Sequence, residues 1–271
     1  MILKIKSNQI ENKIRSSIQD IIRQYKYIKF EIEINKNLSI MEIEIYISFK
    51  KDNPDKVIIS ISNLREEIKG RYCTCLNYWL PSCIEAVHRS RRSVNLKFDT
   101  DDYGAFNCLS MDSEDISNLI PDEYSMRNYY KRRYSNNPKT FNQFKKNWLK
   151  RKNQIYWRGS TTGGGMLNTK NDLFKLQRVR LCKLHNRNIS CNMKISKIVQ
   201  NNVPKHILIN ELKKESIWAR SVFENTFSKY CCYPDIPGNA LAWGSIRKYL
   251  MGNLIFKSTT KRQLYYYRFL K

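Results

Sequence analysis

Apolar residues recur along the first part of the chain in two different periods. Ile10, Ile14, Ile18, Ile21 and Ile22 fall on one stripe at helical spacing, which predicts a helix over residues 8–26. The period then drops to two. Phe30, Ile32 and Ile34 alternate with Glu31 and Glu33, and Met41, Ile43, Ile45 and Ile47 alternate with Glu42 and Glu44. With Lys36-Asn37 between them, the two runs read as a β-hairpin. Residues 57–61 read as a further strand and residues 64–90 as mainly helical. Residues 94–98 form another strand pattern, running into Asp99-Thr100-Asp101-Asp102, and 106–110 a last one.

Residues 124–153 are polar and basic, either a connecting helix or an interdomain segment, and a soft boundary falls near 150. Beyond it the pattern alternates: strand 154–158, helix 171–185, strand 189–195, helix 210–228, strand 229–233, helix 241–251 and strand 254–258. Strands alternating with helices predict an α/β fold with a parallel sheet covered on both faces.

Composition narrows the partner. The 271 residues include 49 Lys and Arg against 24 Asp and Glu, a formal charge of +25. A field of that sign favours nucleic acid, a membrane surface or a phosphorylated substrate. Hydrophobic residues at 41% and aromatics at 12% exclude wholesale disorder. No apolar run reaches the ~20 residues of a membrane span, and the N-terminus shows no apolar leader. A cytoplasmic location is therefore expected, with peripheral association at the inner membrane left open. Eight cysteines are scattered. Cys73-x-Cys75 and Cys231-Cys232 do not fit zinc or redox spacing, so they read as reduced, small hydrophobes.

Candidate chemistry sits in two places. Ile155-Tyr156-Trp157 is an apolar, strand-like run that ends in Arg158 and then Gly159-Ser160-Thr161-Thr162-Gly163-Gly164-Gly165. Such a loop lets main-chain amides and a guanidinium converge on an anion. In an α/β sheet, ligands bind at the carboxyl ends of strands. The spacing is neither that of a P-loop nor G-x-G-x-x-G. An ordinary glycine-rich turn beside a surface arginine would also account for it. The second place is residues 233–256, read as strand, turn at Pro234 to Asn239, helix 240–250 and strand. A turn that opens a helix aims amides and the positive dipole end at an anion. A plain βαβ unit stopped by Gly252 is the alternative.

Together the two segments resemble glycosyltransferase family 90, over roughly residues 95–260. The aromatic-Arg-Gly-Ser segment is Tyr156-Trp157-Arg158-Gly159-Ser160, and the Asp-x-x-Gly-Asn segment begins at Asp235. The resemblance implies a GT-B architecture of two Rossmann-like halves, with 1–150 on the acceptor side and 151–271 binding the donor. It also implies a metal-independent, inverting transfer of a hexose or xylose from a nucleotide sugar, such as a UDP-sugar. The acceptor would be a hydroxyl of a glycan, lipopolysaccharide or protein. No cofactor is implied. Donor contacts would come from Arg158, Gly159, Ser160, Thr161, Gly238, Asn239, Trp243 and Arg247. Arg178 and Arg180, on the helical stretch after the first loop, are further cations for the diphosphate, but a solvated helix face explains them slightly better.

The acceptor hydroxyl needs a base, and a carboxylate is the usual one. By the resemblance it is Asp102, with Asp99 and Asp101 as rivals; a solvated acidic turn is the alternative. Two departures stand out. Trp243 is followed by Gly244 rather than by an arginine, with Arg247 one turn later. Relatives continue past Tyr265-Tyr266-Tyr267-Arg268-Phe269-Leu270-Lys271, so the donor half is expected to be incomplete. A basic nucleic-acid-binding protein is the runner-up, supported by charge and by the stretch 127–133 but by no nucleic-acid signature. An inactive, truncated homologue is the third reading.

Overall fold

The alternating isoleucine runs pair as a hairpin. Strand β1 (Lys29–Lys36) lies antiparallel to β2 (Ile40–Ser48), with Lys36 opposite Met41. β2 is antiparallel to β3 (Asp55–Ser62), and β3 is parallel to β4 (Val94–Asp99). A parallel neighbour needs a crossover, and this one contains helix α1 (Leu80–Ser90). Leu80, Ile84 and Val87 are fully buried at helical spacing. Trp79 stacks on Phe98 and donates its indole N–H to the Pro121 carbonyl at 3.0 Å.

The computed structural model describes residues 12, 15, 16, 19, 23, 29–36, 40–48, 55–62, 78–90, 92–99, 107–122, 125, 141–242 and 244–270. Of the helix expected over 8–26, the described residues 12, 15, 16, 19 and 23 are helical. Asp101, Asp102 and Trp243 lie outside the described residues. The strand expected at 106–110 is reduced to parallel bridges, Leu109 to Phe98 and Ser110 to Leu119.

Contacts group the chain into two units, Met1–Met126 with Arg262–Lys271, and Arg127–Lys261. In the first, the returning segment forms an antiparallel bridge, Gln263 to Ser113, with Gln263 N–H donating to the Ser113 carbonyl at 2.8 Å. Arg262 Nε lies 2.8 Å from the buried Asp112 Oδ1, and Leu264, Tyr266 and Tyr267 are buried.

The second unit runs α2 (Phe141–Leu149), β5 (Lys152–Ser160), α3 (Lys170–Lys175), α4 (Gln177–Leu184), β6 (Cys191–Lys197), α5 (Lys205–Lys214), β7 (Tyr230–Asp235), α6 (Ser245–Leu250) and β8 (Leu254–Lys257). A 3-10 turn, Glu224–Lys229, precedes β7. The four strands are parallel in the order β6-β5-β7-β8. Beyond β6, Trp218 forms a parallel bridge with Ile195; Ile195 N–H donates to the Ile217 carbonyl at 2.8 Å. Counting this one-residue strand, the order is 3-2-1-4-5, the first five positions of the doubly wound order 3-2-1-4-5-6. Tyr156 and Trp157, neighbours on β5, face opposite ways. Arg178 of α4, whose Lys183 pairs with Glu215 just after α5, lies over Trp157. Tyr156 meets Phe227, over which Lys248 of α6 lies, so helices cover both faces. The core between them is built on Tyr156, Trp157, Val179, Met193, Leu208 and Leu212. The chain is thus mixed α/β with parallel pairing in both sheets.

Three helices differ from the sequence pattern. The single helix expected over 171–185 breaks at Leu176, which is extended (φ −62°, ψ 129°). The helix expected over 210–228 ends at Lys214. Ser216 takes a left-handed conformation (φ 57°), and the buried Ile217 turns in to pair with β6. The helix expected from 240 starts only at Ser245.

Candidate functional site

In the 3-2-1-4-5 order, crossovers leave β5 and β7 in opposite directions, and a crevice opens outside their carboxyl ends. The two segments singled out in the sequence meet there. Gly163 N–H, in the loop after β5, donates to Asn239 Oδ1, in the loop after β7, at 3.0 Å. The backbones approach closely. A Cβ on Gly238 would stand 2.4 Å from Thr162 Oγ1, and one on Gly163 would stand 3.2 Å from the Gly238 carbonyl oxygen. Gly163 also has φ +102°, which L side chains avoid. Glycine is needed on both sides of this junction.

Arg178, near the start of α4, spans the junction. Its Nε donates to the Pro237 carbonyl at 3.0 Å and Nη2 to the Ile236 carbonyl at 2.8 Å. Nη1 donates to Thr162 Oγ1 at 2.6 Å, with longer contacts to Ser160 O at 3.3 Å and Oγ at 3.4 Å. The residue is only 9% exposed, and its guanidinium lies 5.6 Å from the Trp157 ring centroid. These hydrogen-bond acceptors are all neutral. Burial pulls the Arg178 pKa down, with Tyr233 and Asp235 pulling it back up. The group stays a cation at neutral pH. Its charge is therefore fixed at the crevice, met by dipoles through its hydrogen bonds and by the Asp235 carboxylate at longer range.

No protein-family model, curated protein or solved structure matches this chain.

The remaining sequence candidates divide. Ser160 belongs to the junction, 3.3 Å from Thr162 through the two hydroxyls. Gly238 and Asn239 belong to it by the contacts above. Thr161 is buried and supports the loop from behind: its hydroxyl donates to the Val199 carbonyl and accepts from the Val199 N–H, both at 3.0 Å. Gly159 is a packing site. The Trp157 indole lies across it, so a Cβ there would stand 2.2 Å from the ring. Arg158 does not reach the glycine loop. Its guanidinium turns to β6, donating to the Asn192 carbonyl and Oδ1, each at 2.8 Å, and stacks 4.3 Å from the Tyr156 ring centroid. Arg247 faces Glu224, with Nη1 3.7 Å from Oε2. Asp99 ends β4 and is buried.

The solvated face offered for Arg178 is thus corrected, whereas Arg180 is exposed. The helix-dipole argument for the second segment is corrected as well. Six residues separate Gly238 from the first helical residue, Ser245, whose hydroxyl instead donates to the buried Asp235 Oδ1 at 2.8 Å. The donor contacts implied by the resemblance included neither Thr162 nor Gly163, although the Thr162 hydroxyl, with those of Ser160 and Thr161, was expected to add a donor to the loop. On the α4 side, a cleft of about 280 Å³ is lined by Leu181, His185, Ile236 and Phe256, an apolar wall beside the polar junction.

Proposed function

We propose that the junction of the two loops holds the diphosphate of a nucleotide sugar, and that the protein is a glycosyltransferase. The observation that carries this reading is Arg178, a buried guanidinium bonded to neutral acceptors at the switch point of a parallel sheet. A diphosphate resting on the 162–165 loop would meet that positive field, the Ser160 and Thr162 hydroxyls and main-chain amides. As the sugar transfers, negative charge grows on the departing diphosphate, and fixed donors stabilise it without reorganising. The acceptor oxygen bonds to the anomeric carbon as the bond to the diphosphate breaks, and its proton passes to a carboxylate. Asp102, after β4, is the proposed base, with Asp99 and Asp101 as the other carboxylates of that segment. A GT-B arrangement of the two units, a UDP-sugar donor, a glycan, lipopolysaccharide or protein acceptor and a cytoplasmic site of action belong to the same proposal.

A panel of nucleotide sugars screened by thermal shift tests it. A ligand at about 100 times its Kd stabilises by about 2.7 kcal/mol, a rise in Tm of roughly 5 °C for a chain of this size. One donor should give that rise in the native protein and lose it in Arg178→Lys. No rise with any donor, or the same rise in both proteins, would sink the proposal.

A further inference from the structure

We infer that the amino-terminal edge of the parallel sheet, opposite the candidate site, docks on an anionic lipid surface. The connections into the strands converge there. Ile155 pairs with Cys191 and Cys232, and Cys232 with Leu254, so the starts of β5, β6, β7 and β8 lie level. Three strand spacings, about 14 Å, separate β6 from β8. Side chains tie these connections together. Gln154 donates to the Ile189 carbonyl, and Arg151 donates to the carbonyls of Met251 and Gly252.

Large aliphatic side chains point outward from this edge. Leu149 is 73% exposed, Leu184 75%, Ile189 91% and Leu254 54%. They come from three separate connections, so no single loop sequence accounts for them. Single exposed apolar residues are ordinary, but a convergent set marks an interaction surface. Cations surround them: Lys150, Lys152, Arg187 and Lys229 are all exposed. The stretches 145–154, 180–191, 226–231 and 248–254 contain no Asp or Glu. Glu215 borders the edge and is bonded to Lys183 at 2.8 Å.

Charge and side-chain type together choose the partner. Aliphatic tips inside a basic ring suit the boundary between headgroups and acyl chains, where apolar groups insert and lysines meet anionic headgroups. Nucleic acid would be met by aromatic or hydrogen-bonding side chains rather than by isoleucine and leucine. Among the described residues no helix is long and apolar enough to cross a membrane, so the contact is with the surface. This inference stands apart from the proposed transfer, because it uses none of the junction residues.

Vesicle co-sedimentation tests it, using phosphatidylcholine alone and phosphatidylcholine with about one third phosphatidylserine. The full chain should bind the anionic vesicles at least about tenfold more tightly. Leu184→Asn with Ile189→Asn should weaken that binding by about tenfold or more. Lys150→Gln with Arg187→Gln should weaken it by about fivefold per charge removed. Both pairs lie on the surface, and unchanged circular dichroism melts would show that folding is intact. Equal binding to the two vesicle types overturns the inference. So does an aliphatic pair that binds vesicles as the native chain does. Preference for an oligonucleotide over anionic vesicles, unmoved by the aliphatic pair, assigns the edge to nucleic acid and overturns it as well.

Discussion

Replacing Arg178 with methionine isolates what the buried guanidinium contributes. Methionine keeps most of the stem volume against Trp157 and removes every donor. The short bonds lost are those to Thr162 Oγ1, the Ile236 carbonyl and the Pro237 carbonyl, at 2.6, 2.8 and 3.0 Å. Each acceptor left without a donor costs about 1 kcal/mol where water reaches it in part. The hydrogen bonds all end on neutral oxygens, but the buried Asp235 carboxylate also loses a nearby positive charge, so the bonds alone set a lower limit. The sum is about 3 kcal/mol, which at a urea dependence of about 2–3 kcal/mol/M moves the unfolding midpoint by roughly 1 M. Arg180→Met, two residues on and exposed, is the control and should shift stability by less than about 0.5 kcal/mol. Urea unfolding followed by circular dichroism and by tryptophan fluorescence reads both variants. If the two midpoints coincide, Arg178 does not hold the loops together and the reasoning is refuted.

Gly238→Ala should lower stability by about 1–3 kcal/mol in the same assay, because its Cβ meets Thr162 Oγ1 at 2.4 Å and Arg178 Nη2 at 3.0 Å. A neutral result would mean that the two loops do not touch. Burial holds the Cys182 thiol at about 12, against 9.0 for the free group. In the folded state the thiol keeps its proton, whereas the unfolded chain loses it above pH 9. Its stabilising contribution is therefore full below pH 9 and declines as pH rises towards 12. Cys182→Ala should flatten the fall in stability over that window. Iodoacetamide at pH 8 should leave Cys182 unmodified until urea is added, and rapid native alkylation would contradict its burial.

The strands were legible because their chemistry is local. Alternating isoleucine and glutamate can bury one face only as an extended chain, and β1 and β2 follow that alternation residue by residue. The first loop was legible for a similar reason, since successive glycines after an apolar run signal close backbone approach. Arg178 was not. Its position on a helix depends on phase, and Leu176 resets the phase without a glycine or proline to mark the break. Read as one continuous helix, 171–185 gives no reason to turn residue 178 inward. Thr169 caps α3, its hydroxyl accepting from the Asp172 N–H, but a helix start says nothing about a break seven residues later. Arg158 misled in the opposite direction. Its place at the end of a strand is as expected, but rotation of a long side chain towards Asn192 is settled by tertiary neighbours. The bridge at Trp218 has no period at all, so no pattern could announce it.

The pairing of Gln263 with Ser113 has a consequence for how the protein is made. Residues that complete the first unit, Leu264, Tyr266 and Tyr267 among them, are encoded after the whole of the second. During synthesis the earlier unit waits while about 135 intervening residues are added, on the order of ten seconds at ribosomal speed. Until then Asp112 lacks its ion pair with Arg262. The second unit, contiguous in sequence, can therefore fold before the first is completed.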